Sequence, residues 1–509
     1  VTRATPLAAL VLLAACGEKP APALTFPSGF TWGAAISGFQ VEMGCPTLPA
    51  ADCEDRHSDW YEFITSGQLG DLADLMSGDT PSQGPGHFEL YDADFARASD
   101  ELGLSSVRFS IEWSRIFPTP TDGIEGFDAL KAMANPEALA HYHAVFASLK
   151  AHRLKPLVTL NHYTLPVWVH DAVGCHQALA TCTRRGWLDQ ERIVREIAKY
   201  AGFVGQEFAG DVDTWATLNE PFAIVLPGYL LPGLDRANPP AVRFQYAAAK
   251  QAFVAMVEAH ARMYDAIKAA DDADADADGV NARVGLVYSV TPTRPKNPEN
   301  PLDRKGAENV FYLYNTAFLD GVILGQLDAD LSKKPMTRPD LQGRMDYLGL
   351  NYYTRITVEG TDSATFPALS IHSNFNPLTL VVWEEYPRGL YDVLMHLEQR
   401  YHLPTIVTES GISDPADDGA GSRWLSTHLA WAQAAITDGA QLSGFYYWSL
   451  FDNFEWNHGM NERFGLYAVD KADPAKVRTP RKTVEAYRRI VTANRVPDDL
   501  AATFPIERP

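Results

Sequence analysis

The chain has 509 residues and predicts a single (β/α)8 TIM barrel with long strand-to-helix loops. Three observations point there. Eight short apolar or β-branched runs recur along the chain, separated by longer stretches with apolar residues at helical spacing. Polar and aromatic side chains collect just after these runs, at the end where such barrels build their sites. No internal repeat or second hydrophobic unit interrupts the pattern, so one domain is expected over residues 25–509.

The first run, 31–37 (TWGAAIS), is followed by Gln40, and the second, 106–111 (SVRFSI), carries Arg108 and stops at Glu112. The third, 156–160, precedes His162, and the fourth, 213–218 (DTWATL), runs into Asn219 and Glu220. The fifth, 283–289, contains Tyr288 near its end. The sixth, 347–350, precedes Asn351 and Tyr353, and the seventh, 405–408 (TIVT), meets Glu409. The eighth, 442–448, closes on Trp448, with Glu455 beyond it.

A net charge of -21 and a pI near 5.1 argue against polyanionic partners such as nucleic acid. No apolar run reaches the roughly 18 residues of a membrane span. Residues 1–16 nevertheless have Arg3, an apolar stretch and then Cys16, the pattern of a short secretory leader. The tetrapeptide LAAC ending at Cys16 resembles the lipobox of bacterial lipoproteins, which implies a lipid-bearing Cys16, a membrane anchor and a periplasmic or cell-surface location. An ordinary leader with a stray cysteine is the alternative. Residues 17–24 (GEKPAPAL) are polar and Pro-rich and read as a tether.

Four cysteines remain, Cys45, Cys53, Cys175 and Cys182, an even count that suits two disulfides in an exported protein. Each pair sits in its own loop, after the first and third strands, so Cys45–Cys53 and Cys175–Cys182 are expected. Their spacings are wider than those of CxxC-type zinc sites, and no metal or other cofactor is expected. The stretch 271–279 (DDADADADG) matches the start of a calcium loop, but Gly285 stands where the closing glutamate belongs, so it reads as a solvated acidic loop.

Glu220 and Glu409 each end a β-branched run, TLNEP and VTESG. One glutamate at a strand tip is ordinarily a solvated charge. Two of them at the same end of a barrel supply what glycosidic cleavage needs, a general acid and a nucleophile.

The motifs FTWGAAISGFQ, RFSIEWSRIFP, NHYTLP, TLNEP, GLNYYT, VTESG and WSLFDNFEWNHGMNERFGL occur in this order. On them the chain resembles glycoside hydrolase family one, the β-glucosidase family, and in style its archaeal-type β-glycosidases. The resemblance implies a retaining exo-β-glycosidase. It would release terminal β-D-glucosyl, and also β-D-galactosyl or β-D-fucosyl, residues from glycosides or oligosaccharides such as cellobiose. It implies Glu220 as acid/base and Glu409 as nucleophile, with Glu220 holding the proton in the resting enzyme. Gln40, His162, Asn219 and Glu455 would hold the sugar hydroxyls, with Trp448 beneath the ring, although Trp448 also suits plain core. Trp456 would lie beside the hydroxyls and Trp383 would be the aglycone platform. Arg108 and Tyr353 would orient Glu409, supported by Asn351.

Three departures stand out: Ser410 where Asn is usual, Met460 where an aromatic is common, and Glu112 in the second-strand motif. Two rival readings are a 6-phospho-β-glycosidase and a non-catalytic sugar-binding lipoprotein. Glu455, Glu462 and Phe464 stand where the first would use a Ser, Lys and Tyr set, and carboxylates there repel a phosphate. Both glutamates are present, against the second.

Overall fold

A computed structural model describes residues 25–233, 236–365, 374–377, 380 and 383–507. The expected leader, tether and Cys16 lie outside the described residues. The eight runs form strands β1 (Thr31–Ala35), β2 (Ser106–Ser110), β3 (Lys155–Asn161), β4 (Thr214–Asn219), β5 (Arg283–Ser289), β6 (Tyr347–Asn351), β7 (Thr405–Ser410) and β8 (Leu442–Trp448). They close into one parallel barrel, with β8 pairing β1 from Thr31↔Gly444 to Ala35↔Trp448.

Inside the barrel Ala35, Leu157, Ala216, Val287, Tyr446 and Trp448 pack as one cluster. Small residues make room for large ones there. A Cβ at Gly33 would stand 2.4 Å from the Tyr446 ring, so that strand position accepts no larger side chain.

Helices on the outside include α1 (His87–Ala96), α2 (Pro136–Ala151), α3 (Gln190–Glu207), α4 (Tyr246–Ala270), α5 (Ala317–Leu324), α6 (Arg388–Tyr401), α7 (Ala420–Thr437) and α8 (Lys482–Ala493). Helix α2 shows how the sequence sets such an element. The Asn135 side chain accepts from the Glu137 N–H and Pro136 opens the first turn, while Leu139, Tyr142, Val145, Phe146 and Leu149 fall on its buried face. Helices α6 and α8 stop at His402 and Asn494 in the left-handed region, with φ of 52° and 50°.

Both expected disulfides are formed, Cys45–Cys53 with Cα atoms 6.0 Å apart and Cys175–Cys182 with Cα atoms 5.0 Å apart. They staple the loops after β1 and β3. The acidic stretch connects α4 to β5, at the opposite end of the barrel from the two glutamates. Its Asp276 pairs with Lys155 at 2.7 Å and its Asp278 with Arg283 at 2.7 Å. Among the described residues no helix is long and apolar enough to cross a membrane.

Candidate active site

The strand ends place the two glutamates at the C-terminal mouth of the barrel, and in both cases the ladder is irregular beside them. The β7 register against β6 shifts between Val407 and Glu409, and that of β4 against β5 shifts between Ala216 and Asn219. Such irregularities re-aim side chains next to active sites. Glu220 itself is left-handed, with φ 44°, a conformation that costs a non-glycine residue roughly 1–3 kcal/mol. After Glu409 the chain passes so close to β8 that a Cβ at Gly411 would lie 1.9 Å from the Trp448 carbonyl oxygen.

The buried Glu409 carboxylate accepts from the Arg108 guanidinium on one oxygen and from the Tyr353 hydroxyl, at 2.6 Å, on the other. Arg108 is fully buried and is fixed by Thr159 Oγ1 at 3.0 Å and Asn219 Oδ1 at 2.8 Å. Among the described residues Glu220 receives neutral donors, the Tyr163 hydroxyl at 2.5 Å and Asn351 Nδ2 at 2.8 Å. Asn351 therefore serves the opposite carboxylate from the one expected. The reason is local: the Thr408 hydroxyl donates to Asn351 Oδ1 at 2.8 Å, which turns the amide nitrogen towards Asn219 and Glu220.

Burial pushes the Glu409 carboxyl up to about 7, with the Arg108 charge opposing and the Glu220 charge reinforcing the rise. The two carboxyls interact, so this titration belongs to the pair, which keeps one proton up to about neutrality. The guanidinium lies against Glu409, so the pair's negative charge is placed there. Tyr163 and Tyr353 are pushed well above the ordinary phenol range, chiefly by burial and by the adjacent carboxylates, and remain donors.

Around this pair stand the expected sugar ligands. Gln40 Nε2 donates to Asn453 Oδ1 at 2.9 Å and to Glu455 Oε2 at 3.0 Å, and its Oε1 accepts from the Ser37 hydroxyl. His162 is 3.1 Å from the Asn219 amide and is held neutral, well below the usual imidazole range, by burial and by Arg108 and Arg236. Its buried Nδ1 has no partner among the described residues. The Trp448 and Trp456 rings both stack against His162, with centroids 5.9 Å away. Trp383 stands at the rim, 47% exposed, edge-on to Tyr353.

Two further expectations need correction. Tyr288 does not join the mouth; it is buried between barrel and helices, stacked on Phe318 of α5, with its hydroxyl donating to the Tyr314 carbonyl. Glu455 is not a bare carboxylate. Arg236, from the loop after β4, pairs with it at 2.6 Å. Tyr163 and Arg236 are contacts that sequence reasoning missed. Tyr163 lies inside the NHYTLP motif, beside His162, whereas Arg236 belongs to the irregular stretch PGLDRANPP, which carries no periodic signal.

A closed (β/α)8 barrel with two carboxylates at its C-terminal mouth, one clamped by a buried arginine, is the framework of a glycoside hydrolase. The model of glycosyl hydrolase family 1 matches residues 23–496, and the chain belongs to that family. It is 35% identical to a β-galactosidase of Pyrococcus woesei, over 92% of this chain and 98% of that one. It is 33% identical to a β-galactosidase of Sulfolobus acidocaldarius, over 94% and 97%. Among solved structures, the β-glycosidase of the hyperthermophile Thermosphaera aggregans superposes with a TM-score of 0.80 at 29% identity, covering 95% of this chain and all of that one.

Proposed function

We propose that this glycoside hydrolase is a retaining exo-β-glycosidase for unphosphorylated terminal β-D-glucosyl residues, with β-D-galactosyl and β-D-fucosyl as further glycones. The observation that carries the reading is the unequal treatment of the two carboxylates. Arg108 favours the anionic form of Glu409, the form a nucleophile needs, while among the described residues Glu220 accepts from the neutral donors Tyr163 and Asn351. Glu409 attacks the anomeric carbon as Glu220 protonates the departing oxygen. Once Glu409 is esterified its charge is gone, and Glu220 gives up a proton more readily, so it draws one from the water that releases the sugar. Asn219, held between Arg108 and His162, faces the 2-hydroxyl, a contact that strengthens in the transition state.

Gln40, His162 and Glu455 take the remaining hydroxyls, Trp448 supports the ring and Trp456 closes its side. A 6-phosphate is disfavoured because two carboxylates stand at that end, Glu455 paired with Arg236 at 2.6 Å and Glu462 with His458 at 3.7 Å. A 6-phospho-β-galactosidase of Lacticaseibacillus casei is a more distant relative, 26% identical. Archaeal relatives named β-galactosidases support galactosides among the substrates, and a β-glucosidase A of Thermotoga maritima, 27% identical, supports glucosides. The leader pattern at residues 1–16 supports export and anchoring through Cys16. NMR of the first sugar released from a nitrophenyl β-glucoside tests the reading. A β-configured product is expected; an α-configured one, or faster turnover of glucoside 6-phosphate than of glucoside, overturns it.

A further inference from the structure

A small gap abuts Tyr163, the residue whose hydroxyl donates to Glu220. It holds about 10 Å³, the room one water needs, and lies where the loops after β1, β3 and β4 meet. Asp59, His170, Trp187 and Asn238 line it, each no more than 2% exposed. Gaps that stay dry inside proteins are lined by carbon. Here three of the lining residues carry a buried polar atom with no partner among the described residues: His170 Nε2, Trp187 Nε1 and Asn238 Oδ1.

Neighbouring groups fix how these side chains are turned. His170 Nδ1 donates to Asp59 Oδ2 at 2.7 Å, and Asp59 Oδ1 accepts from the Leu165 N–H at 2.8 Å, so Nε2 is the ring atom left to face the gap. Asn238 Nδ2 donates to the Ala223 carbonyl at 2.6 Å, a contact its amide oxygen could not make, which leaves Oδ1 for the gap. The Trp187 indole N–H is a donor only. One water completes all three: it accepts from Trp187 and donates to Asn238, and its remaining hydrogen and lone pair suit His170 Nε2 in either protonation state.

The gap reaches Glu220 by two routes. Tyr163 forms part of its wall and donates to the Glu220 carboxylate at 2.5 Å. Asn238 holds the Ala223 carbonyl, and the Ala223 N–H donates to the Glu220 carbonyl at 2.8 Å, inside the turn that left-handed Glu220 opens. Misplacing a reacting group by about 1 Å can cost 10²-fold, so what holds this turn bears on proton transfer. Resting on the glycosidase reading above, we propose that His170, Trp187 and Asn238 bind one structural water and that this site, with Asp59 orienting His170, positions the acid/base. They are positioning residues, acting through Tyr163 and the Ala223 turn.

Crystals of the unliganded protein should show a water within about 2.7–3.2 Å of all three atoms. A dry gap, or a water that misses any of the three, overturns the site whether or not a variant folds. Trp187→Phe keeps the ring and removes one water ligand; His170→Asn keeps a donor for Asp59 and removes Nε2. Each is expected to lower kcat/KM by about three- to thirtyfold for methyl β-D-glucoside, a share of what general acid catalysis supplies. The loss should be much smaller for a dinitrophenyl β-glucoside, whose leaving group needs little protonation. Equal losses on both substrates, or none on either, overturn the positioning role. So does a full further loss on methyl glucoside when Trp187→Phe is added to Glu220→Ala, because a residue that works through Glu220 has nothing left to position there. Wild-type turnover separates the two levels: with it, equal losses sink the positioning role alone, and no turnover of any β-glycoside sinks the glycosidase reading as well.

Discussion

Glu220 and Glu409 differ in their partners more than in their positions, and the difference sets what each substitution should do. On the proposed mechanism Glu409→Ala removes the nucleophile and is expected to abolish hydrolysis. Glu220→Ala is expected to slow glycosylation by about 10²- to 10⁴-fold with poor leaving groups and by much less with activated aryl ones, which need less protonation. Equal losses for both kinds of leaving group, in single-turnover measurements, would reverse the acid assignment. The pair's upper titration, raised to about 7 by burial and opposed by Arg108, also fixes a pH limb. The active form holds one proton, so kcat/KM should fall as pH rises through about 7. A profile flat to pH 9 contradicts this. Asn219 and Glu409 were legible because strand ends dictate where such residues go, whereas Arg108 sits in the middle of β2 and was singled out by the motif RFSIEWSRIFP. The direction of the Asn351 amide was not, since it depends on Thr408, a neighbour that only packing brings alongside.

At the level of elements, the strands were legible because turn residues and β-branched runs bracket each of them; β5 and β8 match the expected ranges at both ends. Tyr288 shows where the reading slipped. Side chains alternate along a strand, and Val287 faces the barrel interior, so Tyr288 must face the helices. Glu112, unusual in its motif, ties the loop after β1 to β2 and β3. It accepts from the Phe39 N–H at 3.2 Å, the Ser110 hydroxyl at 2.9 Å and the Thr164 hydroxyl at 2.6 Å. Burial, reinforced by the charge of Glu42, pushes its carboxyl from 4.5 to about 8. A carboxyl raised in the folded state stabilises fully only below its unfolded pKa, and the contribution is lost as pH rises through the folded one. Urea midpoints should therefore fall between pH 4.5 and 8 in the native protein more than in Glu112→Gln. Parallel pH dependences in the two proteins would show that Glu112 is already ionised.

For the whole molecule, the barrel supplies a rigid frame, and two disulfides fasten the loops after β1 and β3 at the mouth, where the sugar and its leaving group enter. The leader pattern adds an expectation about place: the native protein should partition with membranes and Cys16→Ser should be released, whereas retention of that variant contradicts the anchor. The most direct test of the double displacement is to arrest it between its two steps. Fluorine at C2 of an activated β-glucoside weakens the transition states of both, and the good leaving group keeps the first one fast, so the glycosyl-enzyme accumulates. Mass spectrometry of the digested protein should find the fluorosugar on the peptide that carries Glu409, with its ester absent in Glu409→Ala. A label on the Glu220 peptide, or an unlabelled protein that still hydrolyses the parent glucoside, would contradict the mechanism.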